Sequence, residues 1–333
     1  MLDFIVKRLI LMVPLLFFIS VVSFIVIVLP PGNYVDRYVT AMQQQGYNLS
    51  ENDVQMLYRQ YGLDRSVPEQ YLTWMGNLLT KGEWGRSFVY NQPVSEIIMA
   101  RLPASIGLSL MALAVTWLLA VPIGIFSALR QHSIADYFFT SVSFVGLALP
   151  NFLLALMLAY LVFATTGHAI TSLFSPEFSR APWSWAKFMD LLGNVWLPIV
   201  VIGTAGTAGL IRILRATMLD EKNKQYVVTA RAKGLTEARL ITKYPVRVAI
   251  NPLISTIGWT LPYILSGEII VSKVLNLDTL GPVLLTAALS EDMYLVGSIV
   301  LILSVLTVIG TLLSDILLAL LDPRIRMGKA NSA

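Results

Sequence analysis

The chain contains no cysteine and only two histidines. The first absence excludes disulfides, thiolate nucleophiles and cysteine-based metal sites. The second leaves His132 and His168, far apart in sequence and outside any metal-ligand spacing, so neither metal catalysis nor a bound metal is expected. Charge is scarce as well: 13% of residues are charged, against roughly 25% in an ordinary globular domain. With a net charge of only +4 and no lysine-arginine run interleaved with aromatics, a nucleic-acid partner is set aside. No phosphate-cradling glycine loop is present, so the chain is not expected to bind or hydrolyse ATP by that route.

What fills the chain instead is apolar surface. Hydrophobic residues make up 56% of it, and the mean hydropathy is +0.70. Water cannot be kept from that much apolar surface by a globular core alone, so membrane lipid must cover part of it. Spanning a bilayer takes about 20 apolar residues, and six segments suffice, near 9–29, 102–128, 138–163, 194–217, 250–271 and 294–320. The prediction is therefore an all-α integral membrane protein with six transmembrane helices. The first run follows Lys7 and Arg8 but is too long for a signal peptide, and Pro30-Pro31-Gly32 follows it in place of a small-residue cleavage site; it is read as a retained helix.

Orientation follows from where the basic residues gather. Lys7 and Arg8, Arg130, the segment between the fourth and fifth spans, and Arg324, Arg326 and Lys329 all fall on one side when the number of spans is even, and that side is expected to be the cytoplasm. The organisation expected is a cytoplasmic N-terminus and first helix over 1–29, an extracytoplasmic loop domain over 30–101, a membrane core over 102–320, and a cytoplasmic tail over 321–333. Within the outer loop, Ser50 is a plausible N-cap for a helix ended by Gly62, and a second helix is expected over 68–79. Trp74, Trp84, Trp183 and Trp185 read as interface anchors or small external cores. Pro122, Pro150, Pro198 and Pro262 mark kinks that are either static or hinges. Acids and bases are expected to be nearly absent from mid-membrane, which argues against a gradient-driven carrier working alone.

The segment 218–249 carries the chemistry. Arg212, Arg215, Lys222, Lys224, Arg231, Lys233, Arg239, Lys243 and Arg247 in and beside it face only Asp220, Glu221 and Glu237. Within it, Thr229, Ala230 and Ala232 lead to Gly234, which can take φ > 0 and turn the chain; Thr236 is placed to cap a short helix that Pro245 halts. Charge alone would make this a topology determinant, but the small residues, turn and cap describe a compact element on which another protein can seat. In the fifth span, Asn251, Trp259 and Thr260 are candidates for lining a translocation path or facing a partner.

The stretch Thr229-Ala230-Arg231-Ala232-Lys233-Gly234-Leu235, with Glu237 and Arg239 after it, resembles the coupling loop of ABC-importer permeases of the dipeptide/oligopeptide/nickel branch. The resemblance extends over the whole chain, through Lys7-Arg8-Leu9, Pro31-Gly32, Arg247, Pro252, Gly281, the pair Asp292 and Tyr294, and Asp322-Pro323-Arg324-Ile325-Arg326. It implies a non-catalytic subunit of a bacterial inner-membrane importer, paired with a second homologous permease. Two cytoplasmic ATPase subunits would bind the ATP and Mg that drive it, and an extracytoplasmic solute-binding protein would deliver the cargo. Short peptides are the implied cargo. Asn33-Tyr34 after the first helix and the Ser272–Gly281 segment depart from the peptide pattern and keep oligosaccharides as the alternative.

Overall fold

The computed structural model describes residues 2–28, 34–47, 49–60, 62–179 and 181–321. The described helices run in the order α1 (Leu2–Val28), α2 (Tyr34–Gln44), α3 (Glu51–Gln60), α4 (Val67–Lys81), α5 (Val94–Leu129), α6 (Ile134–Ala148), α7 (Asn151–Thr166), α8 (Pro176–Ser179), α9 (Trp185–Lys222), α10 (Gln225–Ala232), α11 (Glu237–Lys243), α12 (Pro245–Ala249), α13 (Asn251–Val274), α14 (Leu280–Leu289) and α15 (Met293–Leu321). Among the described residues the only β-pairing is an isolated bridge between Arg86 and Pro93.

Four of these helices, α1, α5, α9 and α15, are long and apolar enough to cross a bilayer. A fifth span is available from α6 and α7 together, but the two are bent by 107°. The single helix expected over 138–163 is thus corrected to a broken one. Pro150 is the cause: it lacks an N–H and its ring excludes the helical region for the residue before it, so Leu149 (φ −81°, ψ 124°) and Pro150 (φ −59°, ψ 135°) are both extended.

The fifth expected span corresponds to α13, whose 24 residues are long enough, at about 36 Å, to cross. It is more polar than expected, for it carries Glu268. That carboxylate is buried, and the Ser272 hydroxyl donates to it at 2.9 Å. The fourth helix also differs, beginning at Trp185 rather than 194. Its first turns are polar yet satisfied: the Lys187 N–H donates to the capping Ser184 hydroxyl at 3.2 Å, Lys187 Nζ donates to the Ala181 carbonyl at 2.6 Å, and Ser175 N–H donates to Asp190 at 2.8 Å. Trp183 and Trp185 remain exposed.

The chain divides into two compact units. One comprises Met1–Lys7, Ala104–Asp278 and Thr307–Ala333; the other comprises Arg8–Pro103 and Thr279–Leu306. In the first, α9 is the central helix, and α6, α7, α12 and α13 pack on it; Leu197 and Ile202 of α9 share a core with Leu108 of α5, Ala155 of α7 and Val271 of α13. Close approach depends on small residues: a Cβ on Gly146 of α6 would lie 2.6 Å from the Thr204 methyl of α9, so a larger residue there displaces the Thr204 side chain or the helix that carries it.

In the second unit, α3 and α4 form where expected. The Ser50 backbone N–H and hydroxyl both donate to Asp53 (3.1 and 2.7 Å), and those of Ser66 both donate to Glu69 (3.0 and 2.8 Å). Trp74 belongs to a core with Phe24, Phe88 and Met293, and a second cluster gathers Ile97, Ile98, Leu280 and Leu295.

Candidate functional site

The segment between α9 and α13 folds into a small body of its own. Helices α10 and α11 are joined by residues 233–236, and Val227, Ala230 and Leu240 form a buried core, flanked by Leu235, Ile241 and Tyr244. Burying a valine or leucine side chain contributes about 1.5–3 kcal/mol and the Ala230 methyl less, so this core holds the element without much margin. Gly234 makes the turn at φ +80°, and its N–H closes α10 by donating to the Arg231 carbonyl at 2.9 Å. Thr236 takes the cap position of α11 with extended backbone (φ −63°, ψ 143°), but its hydroxyl makes no capping bond, contrary to expectation. Pro245 ends α11 as expected and at once opens α12, where its missing N–H costs nothing.

Of the predicted residues, Ala230 lies inside and Leu235 is half-buried. Thr229, Arg231, Ala232, Lys233, Gly234, Glu237 and Arg239 lie on the exposed surface, with Tyr226 and Val228 adding apolar area. Arg231 is already engaged: its Nε and Nη2 donate to Glu237 at 2.5 and 3.2 Å, which raises the arginine pKa and holds the glutamate below its usual range. That leaves Lys233 and Arg239 as the cations with fewest internal ties on this face.

The element is fastened to the end of α9 at three points. The Thr217 hydroxyl donates to the Ala249 carbonyl at 3.2 Å, so α12 lies against α9. Buried Glu221 accepts from Lys224 Nζ at 2.5 Å and from the Tyr226 hydroxyl. Burial, and then the Glu221 carboxylate, push the Tyr226 phenol up to about 12, which keeps its proton on the donor side of that bond. Beside this junction, Lys222 Nζ donates to the Ala128 carbonyl at the end of α5 at 3.0 Å.

Arg215 is bound bidentately by Asp136 (3.0 and 2.9 Å), whose side chain is 2% exposed. Asp136 also accepts the His132 N–H at 3.0 Å. This pair ties α9 to the start of α6, and nothing in the sequence signals a partnership across that separation. Breaking a buried charged hydrogen bond removes more than the bond is worth, because the remaining charge stays desolvated. Asp136→Asn should therefore lower stability by about 2 kcal/mol. A thermal melt in detergent checks this, and an unchanged midpoint would show the pair to be idle.

Asn251 opens α13, half-buried, and Thr260 is 2% exposed with a hydroxyl that meets no partner among the described residues. The side chain of Trp259 lies outside the described residues, as do Arg324 and Arg326. Asp292, which the sequence offered only as part of the resemblance and with no role, is fully buried in the second unit and accepts from the Ser87 hydroxyl at 2.5 Å and from the N–H groups of Phe88, Val89 and Leu295 at 2.8, 3.1 and 3.3 Å. Burial pushes its carboxyl above the ordinary range against the pull of those donors. An aspartate directly before a helix start was the available signal.

Two family profiles match the chain in succession. The N-terminal membrane component of binding-protein-dependent transport systems matches residues 1–109, and the binding-protein-dependent transport system inner membrane component matches 120–327. Among curated proteins, the chain is 34% identical over 326 residues to the oligopeptide transport system permease protein AppB of Bacillus subtilis, covering 97% of this chain and 98% of that one. It is 32% identical over 327 residues to the oligopeptide permease OppB of Haemophilus influenzae, covering 98% and 100%. It is 28% identical over 329 residues to the dipeptide permease DppB of Lactococcus lactis, again covering 98% and 100%.

Proposed function

The chain belongs to the family of binding-protein-dependent transport system inner membrane components, and from that premise and the geometry above we propose that it is one of the two pathway-forming subunits of an ATP-driven importer of short peptides. The observation that carries the reading is the body built by 223–250: a two-helix element with its own core, an exposed face of small and basic residues, and three fastenings to the end of α9. An ATPase that grips such a body and moves it moves α9 with it, and α9 in turn carries α6 through the Arg215–Asp136 pair. ATP and Mg sit on the partner ATPases in this reading, and this chain does no chemistry.

The charge distribution supports cytoplasmic placement of this end, because the basic segment 222–247 and the 129–134 turn lie together there through Lys222 and Ala128. Residues 34–93 and the start of α15 then face outward, toward a soluble binding protein that delivers the cargo. The names of the relatives above, oligopeptide and dipeptide permeases, favour peptides over the oligosaccharide alternative.

Reconstitution tests the reading. Proteoliposomes should accumulate labelled peptide only when this chain, a second permease, the ATPases, ATP and the binding protein are all present. Uptake by the chain alone, driven by an ion gradient, would replace it with a secondary carrier.

Because Arg231 is occupied by Glu237, neutralising Lys233 and Arg239 together should weaken ATPase docking more than Arg231→Gln does. The difference should shrink in high salt, where exposed charges are screened. Co-purification at low and high salt measures it, and equal retention of both variants at low salt would rule out the charged contact.

A further inference from the structure

The second unit holds an open cavity of about 310 Å³ that the coupling reading leaves unused. Its floor is aromatic. Trp74 is buried, oriented by its indole N–H donating to the Trp84 carbonyl at 3.3 Å and by a stack on Phe24 with ring centroids 5.7 Å apart. Phe88 meets Tyr294 edge-on at 5.3 Å, and it is held there by the Asp292 carboxylate on its N–H. Gly85 closes one wall at φ +88°, where a Cβ would lie 3.0 Å from the Tyr294 ring; any other residue would be strained and would press on that ring.

The rim is basic. Arg59, Arg65 and Arg86 are exposed around it, and among the described residues Glu83 is the one carboxylate lining it. Two of the three guanidinium groups are preset. Arg86 donates from Nε to the Asn91 side chain at 2.9 Å and from Nη2 to the Asn91 carbonyl at 2.6 Å, and Arg65 donates from Nη1 to Thr73 at 3.2 Å. Each keeps a nitrogen for another acceptor. Three like charges beside an apolar floor repel one another, so the arrangement is relieved by an anion, and a planar fork fits a carboxylate in two-point fashion.

Arginine and large aromatics around a sheltered centre are also the composition that concentrates binding energy at protein interfaces. The volume lies at the lower limit for a small-molecule site, enough for one or two projecting side chains rather than an extended peptide. We propose that this cavity receives an acidic side chain of the soluble binding protein and so anchors it on the second unit. The proposal rests on the reading that residues 34–93 face the side from which solute arrives.

The test uses the complete importer in phosphatidylcholine nanodiscs and its own binding protein, with affinity followed by interferometry. Arg59→Gln, Arg65→Gln and Arg86→Gln combined should weaken binding at least about tenfold at low salt and flatten its salt dependence, with the thermal midpoint of the importer unchanged. Arg65→Glu with Arg86→Glu should be rescued by converting one surface aspartate or glutamate of the binding protein to lysine. Wild-type affinity and salt slope in the triple variant overturn the proposal while leaving the importer reading intact. If labelled peptide alone loses binding in the variants and the binding protein does not, the cavity is a cargo site and docking is refuted. If the difference between wild type and variant appears only when anionic lipid is added, the occupant is a lipid headgroup. If the wild-type importer neither binds such a protein nor needs one for uptake, both this inference and the proposed function fall.

Discussion

Gly234→Pro should abolish ATP-driven uptake while the chain still inserts into the membrane at normal levels. Proline fixes φ near −65°, and Gly234 sits at +80°, so the turn between α10 and α11 cannot form as it stands. The substitution also deletes the N–H that closes α10 on the Arg231 carbonyl. A misplaced proline costs about 3 kcal/mol, which depletes the folded element by about a hundredfold. A core of three buried side chains has little with which to oppose that. The companions give the argument its resolution. A Cβ at 234 would meet nothing within 4 Å, so Gly234→Ala should suffer only the left-handed backbone strain of about 1–2 kcal/mol. Gly234→Asn should stay near wild type because asparagine tolerates that region. Peptide uptake and peptide-stimulated ATP hydrolysis in proteoliposomes provide the readout. Full uptake by the proline variant would mean that the turn is not part of the drive mechanism.

That turn was legible in the sequence because glycine with a following cap and proline is local information. The same holds for the helices of the second unit, where Ser50 and Ser66 precede an acid at the right spacing. Long apolar runs revealed α1, α5, α9 and α15 for the same reason, since a bilayer reads only composition and length. What failed depended on partners distant in the chain or on competition within it. Pro150 was weighed as a kink, but not as a break of 107°. Arg215 entered the sequence reading only as one of the basic residues beside 218–249, because the carboxylate that binds it lies on another helix. Arg231 was counted among the basic residues of the segment without its pairing to Glu237, six residues on, which folds back onto it. Glu268 was passed over because an apolar run with one acid still scores as apolar, whereas burial beside Ser272 makes it a designed position.

Asp292→Ala should be the most destabilising single substitution in the second unit. The carboxylate is fully buried and takes four donors: the Ser87 hydroxyl and the N–H groups of Phe88, Val89 and Leu295. Removing it strands those donors away from water, at about 1–3 kcal/mol for each that finds no substitute, and a net loss of about 4 kcal/mol is expected. Asn keeps one acceptor but turns an amide N–H toward the donors, so Asp292→Asn should lose roughly half as much. Ser87→Ala deletes a single donor and a bond to the Tyr90 N–H, and should lose about 1 kcal/mol. Thermal unfolding in detergent ranks the three, and limited proteolysis locates the damage. Cleavage should rise first within residues 85–94, because the Gly85–Val94 and Ser87–Gln92 pairings close that loop only while Asp292 holds Phe88 and Val89 from beneath. Equal melting of Asp292→Ala and wild type would show that water reaches the site and that burial of the carboxylate does not organise the loop. The same result would remove the support for a fixed Phe88 wall, and a cavity whose wall drifts cannot preset its arginines.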